Sequence, residues 1–314
     1  MRISSAVSRE AGMGHGHQHG SAAPASARHR GRLVLTLGLL AALAVVETAV
    51  GLATGSLALL SDAGHVAVDV FGLAMTLAAI SAARRPSRSA HRTFGLYRVE
   101  VVATLANAFL LAGVAGWVLV EAVDRLRAPI AVAPVPLTVT ALGALAVNAV
   151  GFVLLHRGAS EALSLRGAST EVLADGIAAL GALAAGVVIW LTGWRYADPL
   201  VAIGVAVLIV PRAFGLGRAA LRVLLEAAPP GVDLPGVAAA LGRLPGVLEV
   251  HDLHVWTVTS GMEAATAHLT VTADAQPAAV LASARSVLSG QGVEHATLQL
   301  EPVNTPGCCH DARW

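Results

Sequence analysis

Ser61-Asp62-Ala63-Gly64-His65-Val66-Ala67-Val68-Asp69 puts a histidine and two acids inside a run that is otherwise apolar from Ser56 to Ser81. Positions 62, 65 and 69 are spaced i, i+3 and i+7, so on a helix all three side chains project from one face. A second pair, Glu171 and Asp175, stands one helical turn apart at the edge of another apolar stretch. An ionisable side chain in the middle of a bilayer costs roughly 3 kcal/mol, so packing alone does not explain two such pairs. They are the first candidates for function.

Composition says that the setting is a bilayer. The chain of 314 residues is 55% hydrophobic and 13% charged, with a mean hydropathy of +0.69. That is too apolar for a soluble globule of this size. A membrane-spanning helix needs roughly 20 mostly apolar residues. Six stretches qualify: Leu33 to Ala53, Ser56 to Ser81, Val99 to Val120, Val135 to His156, Ala168 to Leu191 and Pro199 to Phe214. Residues 1–32 are polar and read as a flexible cytoplasmic segment. The run after them is longer than the core of a secretory signal, so no cleaved leader is expected.

Arginines near the span ends set the orientation. Arg28 to Arg32, Arg84 to Arg98, Arg157 and Arg166, and Arg212 to Arg222 fall on one side, against Arg125, Arg127 and Arg195 on the other. By the positive-inside rule both termini are cytoplasmic in a multi-pass cell-membrane protein. A net charge of +1 gives no case for a nucleic-acid partner. Cys308 and Cys309 are adjacent, which does not suggest a disulfide framework.

The membrane domain is expected over residues 33–217. After Glu226 the hydropathy falls, and Ala227-Ala228-Pro229-Pro230-Gly231 breaks into a soluble domain over residues 226–301. Its pattern is a helix around Pro235 to Leu244, strands from Val247 to Val258 and on to Val271, a helix from Pro277 to Leu288 and a strand from Val293 to Glu301. The order αββαβ suits a small α+β sheet, and so thin a core gains from dimerisation. Residues 302–314 form a tail.

Imidazole and three carboxylates, two groups from each of two facing helices, make a four-coordinate set for a divalent cation such as Zn²⁺. Depth is a difficulty. Counted at about 1.5 Å per residue from the outer ends, the His65/Asp69 pair lies about 16 Å deep and the Glu171/Asp175 pair about 27 Å. Glu47 and Asp62, also intramembrane, suit interhelical hydrogen bonding as well as function.

Several stretches resemble the cation diffusion facilitators, in the bacterial zinc, cobalt and cadmium efflux branch. They are Thr54-Gly55-Ser56-Leu57-Ala58-Leu59-Leu60-Ser61-Asp62-Ala63-Gly64-His65, Arg92-Thr93-Phe94-Gly95-Leu96-Tyr97-Arg98-Val99-Glu100, Asp198-Pro199, and His251-Asp252-Leu253-His254-Val255-Trp256. The resemblance runs in order from about Leu33 to Glu301. It implies six transmembrane helices, a C-terminal ferredoxin-like cytoplasmic domain, a homodimer, and metal efflux in exchange for protons. It places a transport site on His65, Asp69 and Asp175, with Glu171 where zinc transporters of the family commonly carry histidine. The extra carboxylate makes the set harder and more anionic. Zinc stays first as substrate, with manganese, cobalt, nickel and cadmium drawn closer. A passive metal channel or a sensor is the competing reading.

The resemblance also implies regulatory metal ligands at His251 and His268, with Glu294 at a third position. If Ser260-Gly261 is a two-residue turn, His268 faces Leu253 and lies diagonal to His251, roughly 7 to 8 Å away. Zinc is then both substrate and regulator, with no organic cofactor. His15, His17 and His19 in the N-terminal segment, and Cys308 with Cys309 in the tail, suit gathering metal from cytosol. No His-Glu-x-x-His run and no Gly-x-Ser-x-Gly elbow is present, so no enzyme is expected.

Overall fold

The computed structural model describes residues 30–83, 94–156, 163–259 and 261–303. His15, His17, His19, Cys308 and Cys309 lie outside them. Among the described residues six long helices come first: α1 (Arg30–Thr54), α2 (Leu57–Ala83), α3 (Arg98–Arg127), α4 (Pro134–His156), α5 (Leu163–Thr192) and α6 (Ala197–Leu224). By length and composition five of them can cross a membrane, and α2, 27 residues long, is the one that carries Asp62, His65 and Asp69. The bundle is apolar outside as well as inside. Val45, Leu52, Phe109 and Phe214 are each at least 69% exposed, as lipid-facing side chains are when no lipid is present.

Small residues let the helices approach closely. Leu57, Leu111, Ala115, Ala122, Ala202 and Ala206 interlock α2, α3 and α6, while Leu137, Ala141, Ala182 and Ala185 join α4 to α5. The observed helices outrun the apolar stretches, α3 by reaching Arg127 and α6 by reaching Leu224. Hydropathy marks where lipid ends, whereas the hydrogen-bond ladder continues wherever side chains support it. Arg125 Nε, for example, donates to Glu121 at 3.0 Å across one turn of α3.

Between α1 and α2 the chain turns at Gly55, whose φ of 71° is a left-handed conformation that glycine adopts without strain. The opening N–H groups of α2 then need an acceptor, and it comes from the start of α6. Asp198 Oδ1 accepts from Ser56 Oγ at 2.5 Å and Ala58 N at 3.3 Å, and Oδ2 accepts from Leu57 N at 2.7 Å. Arg125 lies 3.7 Å from the same carboxylate and donates to the Gly55 carbonyl. Asp198 is wholly buried, so the beginning of α2 is sunk into the bundle.

The C-terminal domain follows the expected order: α7 (Leu234–Gly242), β1 (Val247–Thr259), β2 (Met262–Val271), α8 (Pro277–Ser289) and β3 (His295–Pro302). The sheet order is β1-β2-β3, with β1 and β2 antiparallel and β2 and β3 parallel, the parallel step made through α8. Leu241, Val280 and Leu288 of the helices pack on Val255, Ala265 and Leu269 of the strands. Thr259 Oγ1 donates to Glu100 Oε2 at 2.7 Å, and Arg98 reaches Glu226 at 2.6 Å, tying this domain and its connector to α3.

The register between β1 and β2 corrects the sequence expectation. Thr259 pairs with Met262, as a two-residue turn requires, but the ladder slips between Thr257 and Thr259, between His251 and His254, and again between Val247 and Glu249. Each slip inserts a residue into β1 as a bulge does, and at the middle one Asp252 takes a φ of 49°. His251 therefore pairs directly with His268, not diagonally.

Candidate metal-transport site

The helical spacing in α2 turns Asp62, His65 and Asp69 inward, and α5 turns Asp175 toward them. His65, Asp175 and Asp62 are 6%, 4% and 2% exposed. His65 Nε2 lies 3.4 Å from Asp69 Oδ2 and 3.4 Å from Asp175 Oδ1, so one imidazole joins carboxylates of two helices. Glu171 sits one turn from Asp175, nearer the surface, with its side chain 35% exposed. Among the described residues, His65 Nδ1 is buried without a hydrogen-bond partner, and Asp175 Oδ1 is buried with the His65 ring as its neighbour at 3.4 Å. Lone pairs left so in a dry interior suit a cation.

The depth difficulty disappears because the outer helix ends are not level. His65 is about 12 Å along α2 and Asp175 about 26 Å from the end of α5. Yet α2 begins at the buried Leu57, while α5 runs out to Trp190 and Leu191, which are 64% and 74% exposed. One helix starts recessed and the other protrudes.

Arg212 was not foreseen here. Its sequence position reads as one more basic residue at the cytoplasmic end of the sixth span, but its guanidinium turns into the site. Nη1 and Nη2 donate to Asp69 Oδ2 at 3.0 Å and Oδ1 at 3.1 Å, Nη2 also donates to Glu171 Oε1, and Nη1 lies 3.2 Å from His65 Nε2. No local pattern separates it from Arg218 or Arg222. Glu47 lies beside Asp62 behind the site, fully buried.

In the C-terminal domain the third member of the histidine cluster is Glu301, not Glu294. His251, His268 and Glu301 each offer an atom within 4.8 Å of the others. His268 Nδ1 is 2.9 Å from Glu301 Oε1, His251 Nε2 is 3.2 Å from Oε2, and the ring centroids are 5.4 Å apart. Glu294 is exposed, one residue before β3 begins. The parallel register explains the difference, because His268 pairs with Gln299 and its neighbour Thr270 with Glu301, far along the strand from Glu294. The alternation Leu298, Leu300 toward the helices turns Glu301 to the opposite face, a signal that the sequence carries once the pairing is known.

Comparison with known proteins matches residues 33–225 to the cation efflux transmembrane domain and residues 229–303 to the cation efflux protein cytoplasmic domain. A cation efflux system protein CzcD of Alcaligenes sp. (strain CT14) is 37% identical over 271 residues, covering 86% of this chain and 85% of that one. The zinc transporter ZitB of Escherichia coli (strain K12) is 35% identical over 282 residues, 88% of this chain and 90% of that one. A cadmium, cobalt and zinc/H(+)-K(+) antiporter of Bacillus velezensis is 31% identical over 274 residues, 86% and 87% of the two chains. Among solved structures, the metal-bound C-terminal domain of the CzcD transporter from Cuprividus metallidurans is 35% identical, covers 22% of this chain and 99% of that one, and superposes with a TM-score of 0.22.

Proposed function

The chain belongs to the cation efflux family, and on that premise we propose that it exports a divalent metal, zinc first, from the cytosol in exchange for protons, using His65, Asp69, Glu171 and Asp175 as ligands. The observation that supports this best is the meeting at His65, whose Nε2 stands 3.4 Å from carboxylates of two different helices. Exchange follows from competition for lone pairs. Metal binds the deprotonated ligands, and a proton taken by the same atoms expels it. An unperturbed histidine titrates at about pH 6.5, close enough to neutrality for small differences across the membrane to decide which ion it holds. Rocking of helices about the site then exposes it to one side at a time.

Both termini are cytoplasmic in this reading, with residues 33–217 in the membrane and 226–301 in the cytosol. The partners are metal, protons, lipid and a second copy of the chain, held through the cytoplasmic domain. Nucleic acid has no part in it, and no organic cofactor is required. The His15, His17 and His19 segment and the Cys308 and Cys309 pair deliver metal without being essential.

Glu171 tests the choice of ion. Replacing its carboxylate by imidazole, Glu171→His, softens the set, and the ratio of zinc to manganese flux in proteoliposomes is expected to rise about tenfold. An unchanged ratio across a panel of divalent metals would remove Glu171 from the ligand set. A regulatory zinc is assigned to His251, His268 and Glu301. Glu301→Ala is expected to lower the zinc bound per chain at equilibrium dialysis by one ion, while Asp175-dependent binding stays. The same stoichiometry in the variant would leave the cluster as a hydrogen-bonded face.

A further inference from the structure

Arg212 stands where the cargo must stand. Ligand atoms of three of the four side chains assigned to the metal, His65 Nε2, both oxygens of Asp69 and Glu171 Oε1, turn toward one guanidinium carried by α6. Resting on the transport-site reading above, we propose that Arg212 is a tethered cation of that site, which holds the ligand set together between cargoes and is displaced by each metal ion on loading.

Competition is enforced by space. A zinc ion on His65 Nε2 would stand about 2.0 to 2.1 Å from it, in the space that Nη1, 3.2 Å from the same atom, now closes, so the guanidinium and the metal cannot both be there. Asp69 is engaged through both oxygens in the bidentate geometry that guanidinium and carboxylate share, the strong form of such a contact. Guanidinium stays charged throughout the accessible pH range, so Arg212 leaves by moving and not by losing a proton.

Charge gives the arrangement its purpose. Three carboxylates around one imidazole, largely buried in a membrane protein with no fixed cation, would be held at a heavy desolvation cost. Arg212 removes one unit of that charge whenever the site is empty. Loading then trades one cation for another, and the carrier returns with its ligands still paired.

The side chain also has a way out. Pro211 precedes it in α6 and removes a rung from the helical ladder, which loosens the turn that carries Arg212. The Arg212 side chain is 33% exposed, whereas those of His65 and Asp175 are 7% and 5% exposed. A long stem of this kind lets the charged head swing to water while its methylenes stay among apolar neighbours.

The test measures zinc affinity of the full-length protein in detergent by competition with a fluorescent chelator, taking the binding that Asp175→Ala removes as the transport site. Arg212→Gln is expected to bind zinc there about tenfold more tightly and to release it more slowly from loaded proteoliposomes. Arg212→Lys, which keeps the charge but loses the bidentate fork, is expected to fall between wild type and Arg212→Gln. Wild-type or weaker affinity in Arg212→Gln, with Asp175→Ala inactive, overturns the tethered cation and leaves the site standing. Wild-type binding and flux in Asp175→Ala overturns the site itself. Should Arg212→Gln fail to fold, Arg212→Lys decides, since tighter binding supports the proposal and equal or weaker binding refutes it.

Discussion

Asp175→Ala is expected to abolish zinc uptake into proteoliposomes, with flux falling by at least about 100-fold, while the protein elutes and melts as wild type does. The two halves of this expectation come from different features. Loss of transport follows because Asp175 is the carboxylate through which α5 reaches His65, at 3.4 Å from Nε2, and without it the imidazole faces ligands from α2 and the more exposed Glu171 only. Retention of the fold follows because the contact of Asp175 Oδ1 is with His65, whose Nε2 keeps Asp69 at 3.4 Å after the substitution, so alanine orphans no backbone group or structural donor there. Removing a buried carboxylate also relieves its desolvation. A variant that transports zinc at the wild-type rate would contradict the ligand assignment, and a variant that fails to fold would contradict the account of what Asp175 touches.

Asp198→Ala has the opposite signature, because the fold depends on this carboxylate and metal does not. Its substitution strips acceptors from Ser56 Oγ and from the Leu57 and Ala58 amides, and it takes from Arg125 a charge partner 3.7 Å away. The Arg125 side chain is 10% exposed, so its charge is left largely uncompensated. Breaking a buried ion pair by removing one partner costs about 3 to 5 kcal/mol. The measurement is the melting temperature in detergent, expected to drop by many degrees. Asp198→Asn, which keeps an acceptor oxygen but not the charge, should lose less, and an unchanged melting temperature in Asp198→Ala would contradict the capping role.

Asp198 also shows what sequence alone leaves hidden. Asp198-Pro199 stands out in the chain, but a cap supplied to α2 from the start of α6 has no local spacing to betray it. The pairs His65/Asp69 and Glu171/Asp175 were legible because helical periodicity and the cost of charge in a bilayer both act locally. The six helices and the order of the small α/β domain were legible for the same reason, since hydropathy and alternation are written residue by residue. Arg212 was not, because a basic residue past the end of an apolar run looks the same whether it snorkels outward or turns back into the bundle. Glu301 was missed through register. Two slips between the turn and His251 bring it opposite His268, and the parallel pairing of β2 with β3 then carries Glu301, not Glu294, to that pair.

In the proposed mechanism metal and protons compete for one set of ligands in the bundle. Proteoliposomes with a pH-sensitive dye inside test it most directly, with zinc offered at the cytoplasmic face and proton movement read together with zinc entry. Protons are expected to leave the lumen as zinc enters, both fluxes to stop when a protonophore collapses the gradient, and both to vanish in Asp175→Ala. Zinc entry that continues unchanged after collapse of the gradient, with no counterflow of protons, would contradict the mechanism.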